Sequence, residues 1–156
     1  MEALWEVYAL KYAGNPNRRR GDNFIMDDDH DGPMPIEFFV WMLVQPETGR
    51  RILVDTGFDA TEAARRGRTI ERDPTAVLAE WGVAPESLSE VIVTHLHFDH
   101  AGGLDRYPNA RFHLQAAEMA YATGPCMCHD ALRHPFTADH VCEMVQRVYS
   151  GRVEFH

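Results

Sequence analysis

Thr94-His95-Leu96-His97-Phe98-Asp99-His100-Ala101-Gly102-Gly103-Leu104 decides how this chain is read. Three imidazoles and a carboxylate fall within six residues, in the order H-x-H-x-D-H. The apolar run Val91-Ile92-Val93 before them reads as a buried strand, and Ala101, Gly102 and Gly103 after them allow a tight turn. A strand that opens into a ligand-rich loop fixes the backbone while its side chains converge. His95 and His97 are two apart, so on extended backbone they leave the same side and can chelate one ion. Asp99 and His100 come where the chain begins to turn and can point to a neighbouring position. Neutral imidazoles with a carboxylate suit zinc or another borderline divalent ion. Two such ions sharing a water make hydroxide near neutral pH and polarise a carbonyl oxygen. The competing reading is scattered surface histidines, and the ligand chemistry and spacing argue against it.

Upstream, residues 4–12 alternate in β-branched and aromatic character and read as a strand, with a turn at Gly14-Asn15-Pro16-Asn17. Residues 18–35 read as a polar loop. Within it, Asp27, Asp29, Asp31 and Gly32 fit the first half of a calcium loop, but Phe38 stands where the closing glutamate belongs, which argues against calcium. Ile36 to Val44 is an apolar run fit for a strand buried on both faces. Pro46-Glu47-Thr48-Gly49 is a hairpin turn, and Arg51-Ile52-Leu53-Val54 is the returning strand. That strand ends in Asp55-Thr56-Gly57. A carboxylate there can accept the second N–H of a metal-bound imidazole, or it can simply form the turn.

Residues 59–67 form a weak helix. Asp73-Pro74 starts another, with Val77, Leu78 and Trp81 on its apolar side and Gly82 after it. Downstream, Arg111–Leu114 reads as a strand and Gln115–Thr123 as a helix with Ala116, Met119 and Ala120 on one side. His113 reads as a buried, satisfied histidine; His129 and His134 read as solvated loop residues. Thr137 is placed to cap a helix whose apolar face is Val141, Met144, Val145 and Val148, with His140 on its surface. Phe38 and Trp41 read as core.

The chain's 156 residues are enough for one domain with its own core. A formal charge of −9, from 15 basic and 24 acidic residues, disfavours a nucleic-acid partner. The cluster Arg18-Arg19-Arg20 reads as a solvated turn. No apolar run reaches the length of a membrane span, and the acidic start lacks the basic residues of a signal peptide, so a cytoplasmic location with no membrane partner is expected. Three cysteines argue against a disulfide framework. Cys126-Met127-Cys128-His129 lacks the spacing of a structural zinc site.

The H-x-H-x-D-H motif resembles the signature of the metallo-β-lactamase superfamily. Asp31-Gly32-Pro33-Met34-Pro35-Ile36-Glu37-Phe38-Phe39-Val40-Trp41, Leu132-Arg133-His134-Pro135-Phe136 and His140-Val141-Cys142-Glu143-Met144-Val145 resemble the N-acyl homoserine lactonase group within it. The resemblance implies an α+β fold, the αββα sandwich of two sheets with helices outside. Residues 1–156 would supply the N-terminal portion of one domain. The family's third histidine, bridging aspartate, last histidine and pocket tyrosine belong to a second half that this sequence does not match. A longer protein, a second chain or self-association would complete the fold.

By resemblance the function is opening of the lactone ring of N-acyl homoserine lactones by a hydroxide bridging two divalent metal ions, zinc first among them. His95 and His97 would hold one metal, and Asp99 and His100 the other. Asp99 would shuttle a proton as the catalytic residue, Asp55 would orient a ligand, and Met34 would line the substrate pocket. The other readings are a glyoxalase II-like thioesterase or other esterase of the same superfamily, and an inactive half-domain or assembly partner with weak metal binding.

Overall fold

Seven strands form one mixed sheet in the order β4-β1-β2-β3-β5-β6-β7. The computed structural model describes residues 4–26 and 29–156. The strands are β1 (Glu6–Asn15), β2 (Ile36–Gln45), β3 (Arg50–Val54), β4 (Thr69–Ile70), β5 (Glu90–Ile92), β6 (Arg111–Leu114) and β7 (Val153–Phe155). The antiparallel meander β1-β2-β3 follows from the hairpin turn after β2, where Gly49 takes a left-handed conformation. From β3 onward the pairings β3-β5, β5-β6 and β6-β7 are parallel, which requires crossovers. The crossovers carry the helices α1 (Ala60–Arg66), α2 (Pro74–Glu80), α3 (Ala116–Ala122), α4 (Asp130–Arg133) and α5 (Ala138–Tyr149).

The helix ends follow local chemistry. Asp59 accepts the Glu62 N–H at 2.8 Å to start α1, and Gly67 closes it at a left-handed φ of 61°. Asp73 accepts the Thr75 N–H at 2.9 Å, with Pro74 next, to start α2. Thr137 precedes α5 as expected but does not cap it: its hydroxyl takes an N–H from Arg66 instead, at 3.3 Å. On α3 the expected apolar side is shifted: Ala122 is buried, Met119 half-buried, and Ala116 and Ala120 exposed.

One sheet face carries the core. Leu10, Tyr12, Phe38, Val40, Met42, Leu53, Val91 and Phe112 pack with Val77 and Leu78 of α2 and Val141 and Met144 of α5. The alternate residues face the other way. Register places Trp41, Val54, Ile92 and His113 in a row across that second face. Trp41 is 41% exposed and Val7 61%, while Phe39, Leu43, Val54 and Ile92 are half-buried. The expectations that β2 is buried on both faces and that Trp41 is core are therefore wrong. Among the described residues, none of Trp41, Val54, Ile92 and His113 belongs to the core cluster or packs against it.

β1 runs through Asn15, beyond the turn expected at Gly14, and carries a bulge between Lys11 and Ala13. The extra residue, Tyr12, is fully buried and meets Phe58 edge-on at 5.1 Å. Its hydroxyl donates to the Asp99 carbonyl at 3.1 Å, tying the first strand to the ligand loop. Replacing Leu53, fully buried in the central strand, with alanine should cost about 2–5 kcal/mol of stability in urea unfolding. A change below ~1 kcal/mol would contradict this account of the core.

Candidate metal centre

The loop Thr94–His100 leaves the C-terminal end of β5, and the residues after β3 hold it. Asp55 is the described non-glycine residue with positive φ, at 64°. Aspartate tolerates this left-handed conformation better than most residues. It turns a buried carboxylate toward the loop. Oδ1 accepts the Thr94 backbone N–H at 2.8 Å, the Thr94 hydroxyl lies 2.9 Å from both carboxylate oxygens, and His100 Nδ1 lies 2.7 Å from Oδ2. Thr56 donates its N–H to the His100 carbonyl and Gly102 donates to the Gly57 carbonyl, each at 2.8 Å. The approach is close enough to need glycine. A Cβ on Gly102 would stand 2.8 Å from the Gly57 oxygen, and one on Gly57 2.8 Å from Pro74.

The four candidate ligands sit side by side on the loop with their rings close, but among the described residues only His113, Glu154 and His156 bring three ligand atoms all within 4.8 Å of one another. The His95 and His97 ring centroids are 4.4 Å apart, and those of His95 and His100 3.9 Å. His100 Nε2 lies 3.4 Å from an Asp99 carboxylate oxygen. Tautomers follow from the partners. With the Thr94 hydroxyl donating to Asp55, His95 Nδ1–H donates to the Thr94 oxygen at 3.0 Å and leaves Nε2 free. His100 Nδ1–H donates to Asp55, so its Nε2 turns toward Asp99. Imidazoles beside a carboxylate are the donor chemistry a borderline divalent cation takes, and the residue types present fit one.

Electrostatics supports neutral imidazoles at two positions. Burial, then the neighbouring His100, lowers the His95 pKa; burial, then His95, lowers that of His97. At His100 burial opposes the charge, but the hydrogen bonds to Asp55 and Asp99 outweigh it and raise the pKa to about 9. At Asp99 burial pushes upward, and the His100 contact more than offsets it, holding the carboxyl below its usual value. A divalent cation bound here would displace the proton that His100 carries in its absence.

Several supports were not read from the sequence. Glu118 on α3 accepts the Leu96 N–H at 2.7 Å, fixing the backbone between the first two histidines. Its signal was a carboxylate on a half-buried helix face. Phe136 packs edge-on against His97 at 4.7 Å, and Phe98 donates its N–H to the Pro135 carbonyl at 2.8 Å. Arg66 holds that neighbouring segment. Paired with Glu62 at 2.7 Å, it donates to the His134 and Phe136 carbonyls and lies 4.1 Å from the Phe98 ring centre.

Other expectations land differently. Met34 is half-buried in the loop before β2, its sulfur 3.1 Å from the Asn23 amide nitrogen, and away from the histidines' immediate contacts. His140 is half-buried, not on the surface: Nδ1 is buried without a partner, because the first turn of α5 packs on Gly102. His113 is partnered as expected, its Nδ1 3.1 Å from His156 Nε2, but it is half-buried and stands outside the core cluster. It faces the second side of the sheet with Glu154 and His156, their ligand atoms all within 4.8 Å of one another. Asp27 of the acidic run lies outside the described residues. The three cysteines are free, and Cys126–Cys128 form a short 3₁₀ turn with Pro125.

Residues 39–140 match the profile of the metallo-beta-lactamase superfamily, and the chain belongs to that superfamily. An N-acyl homoserine lactonase of Bacillus cereus is 37% identical over 98 residues, covering 53% of this chain and 39% of the relative. A solved quorum-quenching N-acyl homoserine lactone lactonase superposes with a TM-score of 0.64 at 19% identity, covering 97% of this chain and 56% of that one. A dizinc quorum-quenching lactonase in complex with a product gives a TM-score of 0.59 at 17% identity, covering 97% and 57%. The fold is thus the metallo-β-lactamase fold, of which this chain shows one sheet with its helices, and the chain spans well under two thirds of these relatives. No helix among the described residues is long and apolar enough to cross a membrane.

In chelator-treated protein the His100 imidazole should titrate near pH 9 by NMR, and Asp55→Asn should bring it down toward 6.5. A folded pKa raised above the unfolded one means that protonated His100 stabilises the metal-free fold fully below about pH 6.5 and that this contribution is lost as pH rises through about 9. A midpoint at or below 6.5 in the unsubstituted protein would contradict the Asp55 assignment.

Proposed function

We propose that this protein is a metal-dependent hydrolase that opens the lactone ring of N-acyl homoserine lactones. What supports the reading is the placement of His95, His97, Asp99 and His100 on one strand-end loop, with the Asp55 carboxylate 2.7 Å from His100 Nδ1. Similarity to the Bacillus cereus lactonase supports the substrate class.

His95 and His97 would hold one divalent ion and Asp99 with His100 a second, zinc suiting both donor sets. Bound there, the metal supplies a water of lowered pKa and polarises a carbonyl oxygen. The chain's residues set the conditions for that chemistry. Thr94 and Asp55 would orient the His95 and His100 rings through their Nδ1 atoms, leaving each Nε2 to face a ligand. Asp99 would accept a proton as the carbonyl is attacked and return it to the leaving alkoxide. Phe98, Phe136 and Tyr12 restrict loop movement, which keeps the donors in register.

The test is turnover of N-hexanoyl homoserine lactone by the zinc-loaded protein, followed as acid release, with metal content measured on the same sample. The expected result is lactone opening that His97→Ala reduces to background. Cleavage of thioesters without lactones would overturn the substrate assignment, and a folded protein holding no metal would overturn the reading altogether. Asp55→Asn should weaken zinc binding by roughly 10–100-fold in a competition assay while leaving the four ligands in place.

A further inference from the structure

Beside the ligand loop, on its Phe98 flank, lies a cavity of about 440 Å³ with Arg18, Asp22, Arg66, Arg68, Phe98 and His134 in its wall. Three guanidiniums line a single cavity in a chain whose formal charge is −9. Two of them are occupied. Arg66 pairs with Glu62 and donates to the carbonyls of His134 and Phe136. Arg18 donates to the Asn23 side chain and the Asp22 carbonyl. Arg68 is different. Its backbone is pinned, the N–H donating to the Ala63 carbonyl at 2.8 Å just past the end of α1. Among the described residues its side chain has no hydrogen bond or ion pair, and its buried Nε has no partner. The Asp22 carboxylate, the acidic group in the wall, already accepts the Arg19 N–H at 2.9 Å.

The buried Nε–H of Arg68 has no acceptor among the described residues, a cost that a resident anion would offset. Burial and the neighbouring Arg18 and Arg66 lower the Arg68 pKa, the charges of Asp99 and Asp22 opposing them. We propose that this cavity is an oxyanion subsite in which Arg68 binds a carboxylate. The planar fork of arginine suits a two-oxygen acceptor, and Phe98 and Pro135 offer an apolar wall for a short alkyl chain attached to it. Hydrolysis of an ester or lactone creates a carboxylate, and the subsite adjoins the loop that carries Asp99. Assigning that carboxylate to product or substrate rests on the hydrolase reading; the anion site itself does not.

The probe is hexanoate, with hexanol as its neutral counterpart, titrated calorimetrically into protein stripped of metal by chelation and dialysis. Hexanoate should bind saturably and more weakly as salt rises, and hexanol should not bind. Arg68→Met should weaken hexanoate by roughly tenfold or more, Arg68→Lys by less, and Arg111→Met, an exposed control, not at all. A second readout needs no variant: the Arg68 Nε–H resonance should move with hexanoate and stay with hexanol. Absent saturation, undiminished binding by Arg68→Met, a stationary Arg68 resonance, or binding that appears only once metal is restored would each overturn the subsite. Lactone turnover and metal content measured in parallel separate the two readings, since hexanoate binding without metal is independent of hydrolysis.

Discussion

A single buried carboxylate joins the ends of β3 and β5. Asp55 is 2% exposed, and a carboxylate so placed must be met by donors or it destabilises the fold. It is met by the Thr94 N–H, the Thr94 hydroxyl and the His100 imidazole. Those contacts in turn fix the start and the finish of the six-residue motif. The left-handed backbone at Asp55 is what aims the carboxylate, and the close approach of Gly57 to Gly102 is what lets the two loops meet. The local strain at Asp55 is therefore tied directly to the geometry of the ligands.

Around this link the fold supplies rigidity from three directions. Beneath the loop, Tyr12, Phe38, Phe58 and Phe98 form a contiguous aromatic group, with Tyr12 reaching the Asp99 carbonyl. Glu118 holds the backbone at Leu96. On the third side Arg66 and Glu62 pin the segment that carries Phe136 against His97. The ligand loop is thus clamped by neutral packing below and by charge-assisted hydrogen bonds at its edge, a suitable arrangement for holding donors in place ahead of a cation.

Much of this was legible in the sequence because it is local. The H-x-H-x-D-H spacing, the apolar run before it, the aspartate at the end of the preceding strand and the Asp73-Pro74 helix start all announce themselves within a few residues. The rest is long-range. Glu118, Tyr12 and Arg66 act on the loop from 22 or more positions away, and no periodicity marks them. Thr137 looked like a helix cap because nothing in its own neighbourhood reveals Arg66, 71 residues earlier. Trp41 looked like core because alternation fixes that it faces away from Val40, not what lies on that side. His140 looked exposed because its contact, Gly102, lies on a different element.

The account depends on cation binding at the loop itself. The most direct measurement is anomalous diffraction at the zinc edge from crystals of the protein grown with zinc. It should show density about 2.0–2.2 Å from nitrogen atoms of His95 and His97 and from Asp99 or His100. Ordered side chains there with no anomalous peak, or a peak confined to His113, Glu154 and His156, would contradict it.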